Sequence, residues 1–86
     1  MNITKQTAAA KIAAYLHHEI TIAELVAWAE DAVMVGEFPA SDAEALRAVT
    51  ARLGLADVRA FGLTWEDCEQ LLEQLGYAAH VDVVAA

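Results

Sequence analysis

Two adjacent histidines followed by a glutamate, His17–His18–Glu19, form the part of the sequence that comes nearest to a metal site. Neighbouring residues of a helix point about 100° apart. These two imidazoles therefore do not converge on one ion, as histidines four residues apart do. A complete site needs His80 or an acid brought in by folding. A solvated helix end, where histidine complements the helix dipole, is the simpler interpretation. We expect no metal, and only the surroundings of His17 and His18 in the fold can show whether they bind one.

Three glutamates, Glu66, Glu69 and Glu73, have the spacing that places carboxylates on one face of a helix. Clustered carboxylates can bind a cation or raise one another's pKa for acid–base chemistry. Dimetal sites in helical bundles also need Glu-x-x-His on companion helices, and the sequence has no such pattern. A solvated face is the simpler interpretation. Its remaining functional interest is recognition of a basic protein.

Cys68 is the only candidate thiol nucleophile, because the chain has 1 cysteine. A reactive cysteine needs exposure, a base and an electropositive setting, whereas Asp67 and Glu69 flank this one. We therefore expect Cys68 to pack in the core. It shares an apolar helical stripe with Trp65, Leu71, Leu72 and Leu75.

No motif in the sequence indicates an enzyme. There is no phosphate-binding loop, no Gly-x-Gly-x-x-Gly and no Gly-x-Ser-x-Gly. Trp28 lies at the margin of the apolar stripe of its own helix. Core packing is its leading interpretation and an interface anchor the alternative, since tryptophan is enriched at interfaces. We predict no catalytic residue and no cofactor.

The elements that must position these side chains are helices with recognisable start signals. A threonine or serine followed three residues later by an acid forms a capping box. The predicted helices span about 5–18, 22–35, 42–53 and 65–75, and their caps are Thr4, Thr21 with Glu24, Ser41 with Glu44, and Thr64 with Asp67.

The second predicted helix has the broadest apolar surface, which indicates that it is central to the fold. Gly36 follows it and predicts a left-handed end. The apolar stripe consists of Ile22, Leu25, Val26, Ala29, Ala32 and Val33, and it is widened by Trp28 and Val35.

The two remaining segments are less regular. Residues 57–61 read as a single helical turn closed by Gly62, or as an extended segment. The tail 77–84 is rich in valine and partly alternating, which is typical of a short strand. Such a strand would pair with 57–61 or with its copy in a dimer; otherwise the tail stays frayed. The chain is predicted to be one all-α domain, 1–86, with four main helices.

Composition excludes several classes of partner. The net charge is −8, with 13 acids against 5 bases among 86 residues. Phosphate binding needs a basic patch, so we expect no nucleic acid partner, and anionic membrane surfaces are disfavoured for the same reason. A single cysteine suggests a reducing compartment. No signal peptide or membrane span is recognisable, so a cytoplasmic location is expected.

Two long segments carry a resemblance to known proteins. YLHHEITIAELVAWAEDAVMVGEF and LGLADVRAFGLTWEDCEQLLEQLGY lie within residues 15–77. Together they resemble a group of small, uncharacterised bacterial helical proteins. The resemblance implies a bacterial origin and a helical fold, and no activity to transfer. Helices opening with Ile-Thr-x-x-Glu-Leu-Val are also similar to those of some bacterial immunity proteins.

The leading functional hypothesis is a non-enzymatic protein-interaction module that associates with itself as a homodimer. Apolar docking would use Trp28 and the tail, while the acidic helix sets partner preference. An antitoxin or immunity-type inhibitor of a basic protein is the alternative. A small metal-dependent enzyme using His17 and His18 is the third hypothesis. The candidate interaction residues are Trp28, Glu66, Glu69, Glu73, Tyr77, Val81 and Val83.

Overall fold

Four α-helices make up the fold in the computed structural model, which describes residues 1–81 and 83–85. A short 3-10 helix, Ala40–Asp42, leads into the third of them. No strand occurs in the described ranges, where an isolated backbone bridge joins Asn2 to Glu37. The predicted all-α class is therefore confirmed. The helices are α1 (Lys5–Leu16), α2 (Ile22–Val35), α3 (Ala43–Leu53) and α4 (Trp65–Gln74).

One hydrophobic core joins all four helices. α1 and α3 each pack against the other three, whereas α2 and α4 have no extensive contact with each other. The prediction that α2 is central is therefore wrong: α2 is covered by α1 and α3, and part of its apolar surface stays exposed. The largest fully buried side chains of the hydrophobic core include Ile3, Ile12, Leu25, Leu46, Leu53 and Leu75.

Three of the four predicted helix caps are confirmed. The Thr4 hydroxyl accepts a hydrogen bond from the Thr7 backbone N–H at 3.1 Å. Complete capping boxes begin the second and fourth helices, since each threonine and its acid exchange two side chain to backbone bonds. These boxes satisfy N–H groups that the first turn of a helix leaves unpaired. They are Thr21 with Glu24, and Thr64 with Asp67.

The predicted box Ser41-x-x-Glu44 is wrong. Pro39 precedes a 3-10 helix over residues 40–42, so α3 begins one residue later than predicted and has no side-chain cap. The Asp42 N–H instead bonds to the Pro39 carbonyl at 3.0 Å. The Asp42 carboxylate lies 3.6 Å from the Lys5 ammonium, which links this turn to α1.

The first and last helices end in the same way, in a Schellman motif. α1 ends at Leu16 rather than at residue 18, because His18 adopts the left-handed conformation with φ 61°. The Glu19 N–H bonds to the Ala14 carbonyl at 2.8 Å and the His18 N–H to Tyr15 at 3.1 Å. Glycine usually occupies this left-handed position.

At the end of α4 a glycine occupies the left-handed position. Gly76 has φ 86°, and the Tyr77 N–H bonds to the Leu72 carbonyl at 2.8 Å. The left-handed end predicted at Gly36 is wrong, since its φ is −72°. Gly36 is needed for close approach instead: an added Cβ would press on the Ala32 carbonyl and lie 2.9 Å from Ile3 Cγ1.

The two irregular segments are resolved differently. Residues 54–61 form successive hydrogen-bonded turns, and the Gly62 N–H bonds to the Val58 carbonyl at 3.0 Å. The predicted single helical turn closed by Gly62 is therefore confirmed, and the alternative of an extended segment is wrong. Arg52 fastens this segment to α4, because Nη2 donates to the Gly62 carbonyl at 3.0 Å and to Asp67 at 3.2 Å. The predicted strand 77–84 is absent from residues 77–81 and 83–84, and Asp82 lies outside the described residues.

Candidate binding surfaces

A large surface depression lies between α1, α4 and the chain that follows α4. We call it the α1–α4 cleft. Its volume is about 820 Å³, within the range of roughly 300–1,000 Å³ typical of ligand pockets. The cleft is lined by Gln6, Ala9, Ala10, Ala13, Leu16, His17, Trp65, Leu72, Tyr77, Ala78, Ala79, His80 and Val81.

Helical spacing explains how this cleft arises. On α1 the lining residues Gln6, Ala9 and Ala13 recur every three or four positions, so they form one stripe. Alanine side chains end at Cβ and leave room that larger residues would fill. On α4 Trp65 and Leu72 are seven residues apart and therefore also share a face.

The chain segments that follow α1 and α4 both contribute to the lining of the α1–α4 cleft. His17 lies at the end of α1, and Tyr77 and His80 follow the turn after α4. Two of the 3 histidines of the chain therefore line one cleft from distant parts of the sequence. His18 follows His17 directly but is not part of the lining.

The charge of the α1–α4 cleft contrasts with that of the whole chain. Among the residues that the structure describes, no Asp or Glu lines it, although 13 of the 86 residues of the sequence are acidic. Its polar groups are the amide of Gln6, the hydroxyl of Tyr77 and the two imidazoles. All of these groups can donate hydrogen bonds, so the cleft suits an acceptor.

A second, smaller depression lies where the C-terminal half of α2 meets the C-terminal half of α3. We call it the α2–α3 groove, and its volume is about 430 Å³. At its rim Met34 is 80% exposed and Val33 is 55% exposed. Exposed apolar side chains that adjoin one another are typical of interaction surfaces. The groove is lined by Glu30, Val33, Met34, Thr50, Ala51, Gly54 and Leu55.

This groove exists because two small residues face α2. Ala51 lines the groove with only a methyl group. Gly54 has no side chain, and the side-chain atom nearest to a Cβ added there would be Glu30 Cγ, at 4.0 Å. The prediction that Val33 faces inward is wrong for the same reason, since no large residue of α3 covers it. Sequence reasoning also misses Met34 and Leu55. Met34 does carry a signal, because it is a large apolar residue outside the predicted stripe.

The two tryptophans occupy different environments. Trp28 is half-buried against the core, as the leading interpretation expects, and its role as an interface anchor stays a prediction. Trp65 is 36% exposed and borders the α1–α4 cleft, so its predicted inward position is wrong. As the first residue of α4, it lies at the edge of the helix packing.

Cys68 lies in the core, as predicted, with no exposed surface. Burial raises the pKa of its thiol to about 11, and the Asp67 carboxylate acts in the same direction. Hydrogen bonds from the backbone and side chain of Thr64 lower the pKa of Asp67. The thiol therefore stays protonated at neutral pH, which is the opposite of what a nucleophile needs.

The predicted acidic face remains at the surface of α4. Glu66 and Glu73 are exposed and Glu69 is half-buried. Within the described residues none of the three forms a salt bridge, since the ion pairs there join Lys5 to Asp42 and Arg52 to Asp67. The carboxylates are therefore available to a partner.

The predicted tail residues divide between the cleft and the solvent. Tyr77 and Val81 line the α1–α4 cleft, whereas Val83 is 94% exposed. In residues 1–81 and 83–85 no three His, Cys, Asp or Glu side chains are grouped as a metal site requires. His17 lines the α1–α4 cleft and His18 does not. Both lie beyond Leu16, the last residue of α1, so the helical spacing assumed for them in the prediction does not apply.

Comparison with known proteins adds no relative. The chain matches no protein-family model, and neither the curated proteins nor the solved structures give a significant match. The resemblance to small bacterial helical proteins therefore stays a prediction. Among the described residues no helix has the length and apolar content needed to cross a membrane.

Proposed function

We propose that this protein is a non-enzymatic interaction module that binds a second copy of itself through the α2–α3 groove. The observation that carries the proposal is the juxtaposition of Met34, which is 80% exposed, with an apolar depression beside it. A side chain this exposed gains most by leaving water, and roughly 25 cal/mol is gained for each Å² of apolar surface buried.

The same surface carries both a projection and a hollow, which favours a two-fold homodimer. In a two-fold interface both copies present the same patch, so the patch must be complementary to itself. Met34 of one copy can enter the groove beside Ala51 and Gly54 of the other, and the reverse contact forms at the same time. Small domains also gain stability from oligomerisation, because their own cores bury little area.

The net charge of −8 gives the homodimer a characteristic salt dependence. Two copies repel each other at low ionic strength, and salt screens charges farther apart than a Debye length of about 10 Å at 0.1 M. Glu30 lines the groove, so repulsion acts at the interface itself. Self-association should therefore tighten as salt is added, whereas binding to a basic protein should weaken.

Sedimentation velocity across a dilution series, at low and high salt, tests the proposal with two matched variants. Met34→Gln keeps the length of the side chain but makes its end polar, and it should weaken association by roughly tenfold or more. Val35→Thr makes a similar change in polarity on the same helix, but Val35 does not line the groove. We expect Val35→Thr to associate like the unaltered protein.

Two results would contradict the homodimer. The first is a strict monomer at the highest concentration in both salts. The second is equal weakening by Met34→Gln and Val35→Thr, which would place the interface elsewhere. Circular dichroism of each variant checks that the helices are intact.

A second candidate function is supported by α4. Glu66, Glu69 and Glu73 form no salt bridge among the described residues, and charge complementarity would attract a basic protein. In that case the chain is an antitoxin or immunity-type inhibitor. Glu66→Gln with Glu73→Gln should then reduce capture of a basic partner and leave self-association unchanged. Glu19→Gln is the control, because it removes an acid that lies outside α4. Glu24→Gln is unsuitable for this purpose, since Glu24 caps α2.

The same proposal places the module in the cytoplasm of a bacterial cell. Its support is the single cysteine, which is buried and so needs no oxidising compartment, together with the sequence resemblance. Fractionation of cells that produce the protein at its native level tests this location.

A further inference from the structure

We propose that the homodimer interface extends from the α2–α3 groove onto the turns that follow α3, where a second copy covers Leu55, Val58 and Phe61. We call these three residues the 55–61 ridge. The inference rests on the proposed self-association and deepens it, because it assigns Phe61 to the interface as an anchor. Leu55 belongs to both surfaces, since it lines the groove and begins the ridge.

Backbone hydrogen bonds bring the three residues of the ridge together. The Val58 N–H bonds to the Leu55 carbonyl at 3.0 Å, and the Phe61 N–H bonds to the Val58 carbonyl at 2.9 Å. Residues joined in this way across a turn have Cα atoms less than about 7 Å apart. All three side chains reach solvent, with Leu55 39% exposed, Val58 41% and Phe61 54%. Exposed apolar residues that adjoin one another are typical of an interaction surface.

Arg52 holds Phe61 in place before any partner binds. The guanidinium carbon of Arg52 lies 6.0 Å from the centroid of the Phe61 ring, and a cation within about 6 Å of an aromatic ring is attracted to it. Nη2 of the same guanidinium bonds to the Gly62 carbonyl at 3.0 Å and to Asp67 at 3.2 Å. A side chain that is already held loses little conformational freedom on association. Phe61 is therefore an exposed aromatic residue in a fixed position, which suits an interface anchor.

The small size of the α2–α3 groove explains why the interface needs a second surface. Stable interfaces bury roughly 800 Å² on each partner and involve about 20–30 residues a side. Seven residues line the groove, and Thr50, Ala51 and Gly54 among them have little or no apolar side chain. A copy that places its Met34 beside Gly54 also reaches Leu55, the next residue in the chain. The ridge continues from that point and adds apolar area to the same contact.

Charge favours a second copy as the molecule that covers the ridge. Residues 55–61 include one acid, Asp57, and one base, Arg59, so this segment is neutral although the chain has a net charge of −8. Both side chains are exposed, and within the described residues neither forms a salt bridge. The same patch of both copies takes part in a two-fold interface, so an acidic chain meets no net repulsion from this segment. A basic partner would instead be attracted to the acidic face of α4.

Methyl NMR of the full chain across a dilution series tests the ridge without altering it. We expect the methyl signals of Leu55 and Val58 to move with concentration along the same curve as the Met34 methyl signal. Val83 is the internal control, because it is 94% exposed and lies in the tail, outside the groove and the ridge. Its signals should stay in place.

Two matched pairs of variants measure the contribution of the ridge by sedimentation velocity. Val58→Thr should weaken self-association by roughly tenfold, because it places a hydroxyl in an apolar contact. The same change in Val35→Thr should have no effect, although Val35 is the more exposed of the two at 63%. Phe61→Ala should weaken self-association by roughly thirtyfold. Tyr77→Ala is its control, because Tyr77 is an aromatic residue of similar exposure, 42%, outside both surfaces.

The outcomes separate the ridge from the groove. The ridge is overturned, and the homodimer through the groove stands, if Met34→Gln weakens association while Val58→Thr and Phe61→Ala do not. Equal weakening by Phe61→Ala and Tyr77→Ala would also overturn the ridge, because it would show adsorption of apolar groups without a defined surface. If the ridge variants weaken association and Met34→Gln does not, the ridge is the interface and only the groove is wrong. A strict monomer at the highest concentration would contradict both. Circular dichroism of each variant checks that the helices are intact.

Discussion

The α1–α4 cleft and the α2–α3 groove are each bounded by two helices, but they are lined by different kinds of residue. The cleft combines alanines and aromatic residues with two histidines, whereas the groove is apolar apart from Glu30 and Thr50. In the cleft Leu72 is buried and Trp65 is 36% exposed, whereas at the groove Met34 is 80% exposed. The first geometry is a depression between two helices, and the second places a projecting side chain beside a depression.

The comparison teaches that small residues create binding surfaces in two ways. On α1 a stripe of alanines lines one side of the cleft with short side chains, which leaves space between α1 and the other lining residues Trp65 and Tyr77. On α3 Ala51 and Gly54 leave apolar residues of α2 without cover. In both places the helix itself is regular, and the depression forms because small residues lie on the exposed face of the helix or at its end.

The largest expected effect separates the hydrophobic core from the rim of the α2–α3 groove. Leu53→Ala should lower the free energy of unfolding by about 3 kcal/mol, because Leu53 is fully buried and its loss leaves a cavity. Leu55→Ala, the same change two residues away at the rim, should cost less than about 1 kcal/mol. Urea unfolding measures both. Similar costs would show that Leu55 belongs to the core and not to a binding surface.

The next largest effect compares the start of α2, a helix that borders the groove, with the start of α4, a helix that borders the cleft. Thr21→Ala and Thr64→Ala each remove a complete capping box and should cost about 1 kcal/mol. Hydrogen exchange should quicken at the start of α2 in the first variant and at the start of α4 in the second. Ser41→Ala is the control, because Ser41 forms no cap, and it should change stability by less than about 0.5 kcal/mol. A larger loss of stability in Ser41→Ala would show that Ser41 does cap α3, as the sequence predicts.

A smaller effect sets stability against binding in the groove. Gly54 has helical dihedral angles, φ −63° and ψ −17°, and an added Cβ would lie 3.5 Å from its nearest neighbours. Gly54→Ala should therefore stabilise the fold by roughly 0.4–1 kcal/mol. The same methyl group narrows the groove and should weaken self-association. Thermal unfolding and sedimentation measure the two changes, and tighter association would contradict the docking of Met34.

The smallest effect at neutral pH concerns Cys68, behind the wall of the cleft formed by α4. Its folded pKa of about 11 lies above the ordinary 9.0, so the unfolded chain loses the proton first as the pH rises. The contribution of this thiol is complete below pH 9.0 and is lost as the pH approaches about 11. Cys68→Ala should not show this part of the loss of stability at alkaline pH. Urea unfolding midpoints of both proteins across this range test it, and parallel curves would contradict the burial of the thiol.

The sequence predicts the helices of this protein well and its surfaces poorly. Thr21, Thr64 and Gly76 act through neighbours three or four residues away, so local chemistry alone places them correctly. Ser41 has the same local pattern, but Pro39 starts a 3-10 helix that takes up the backbone first. Inward orientation is predicted correctly for Cys68 and Leu25 and wrongly for Val33, because burial depends on what another helix places opposite each residue.

The amino-acid sequence by itself determined that this chain is helical, where three of its helices are capped, and that Cys68 packs away from solvent. These properties follow from hydrogen bonds and periodicity within about one turn of helix. Only the tertiary structure decided that His17 and His80 line one cleft and that Met34 lies beside an uncovered groove. Both arrangements depend on side chains distant in sequence, whose relative positions are set by the packing of whole helices on a shared core.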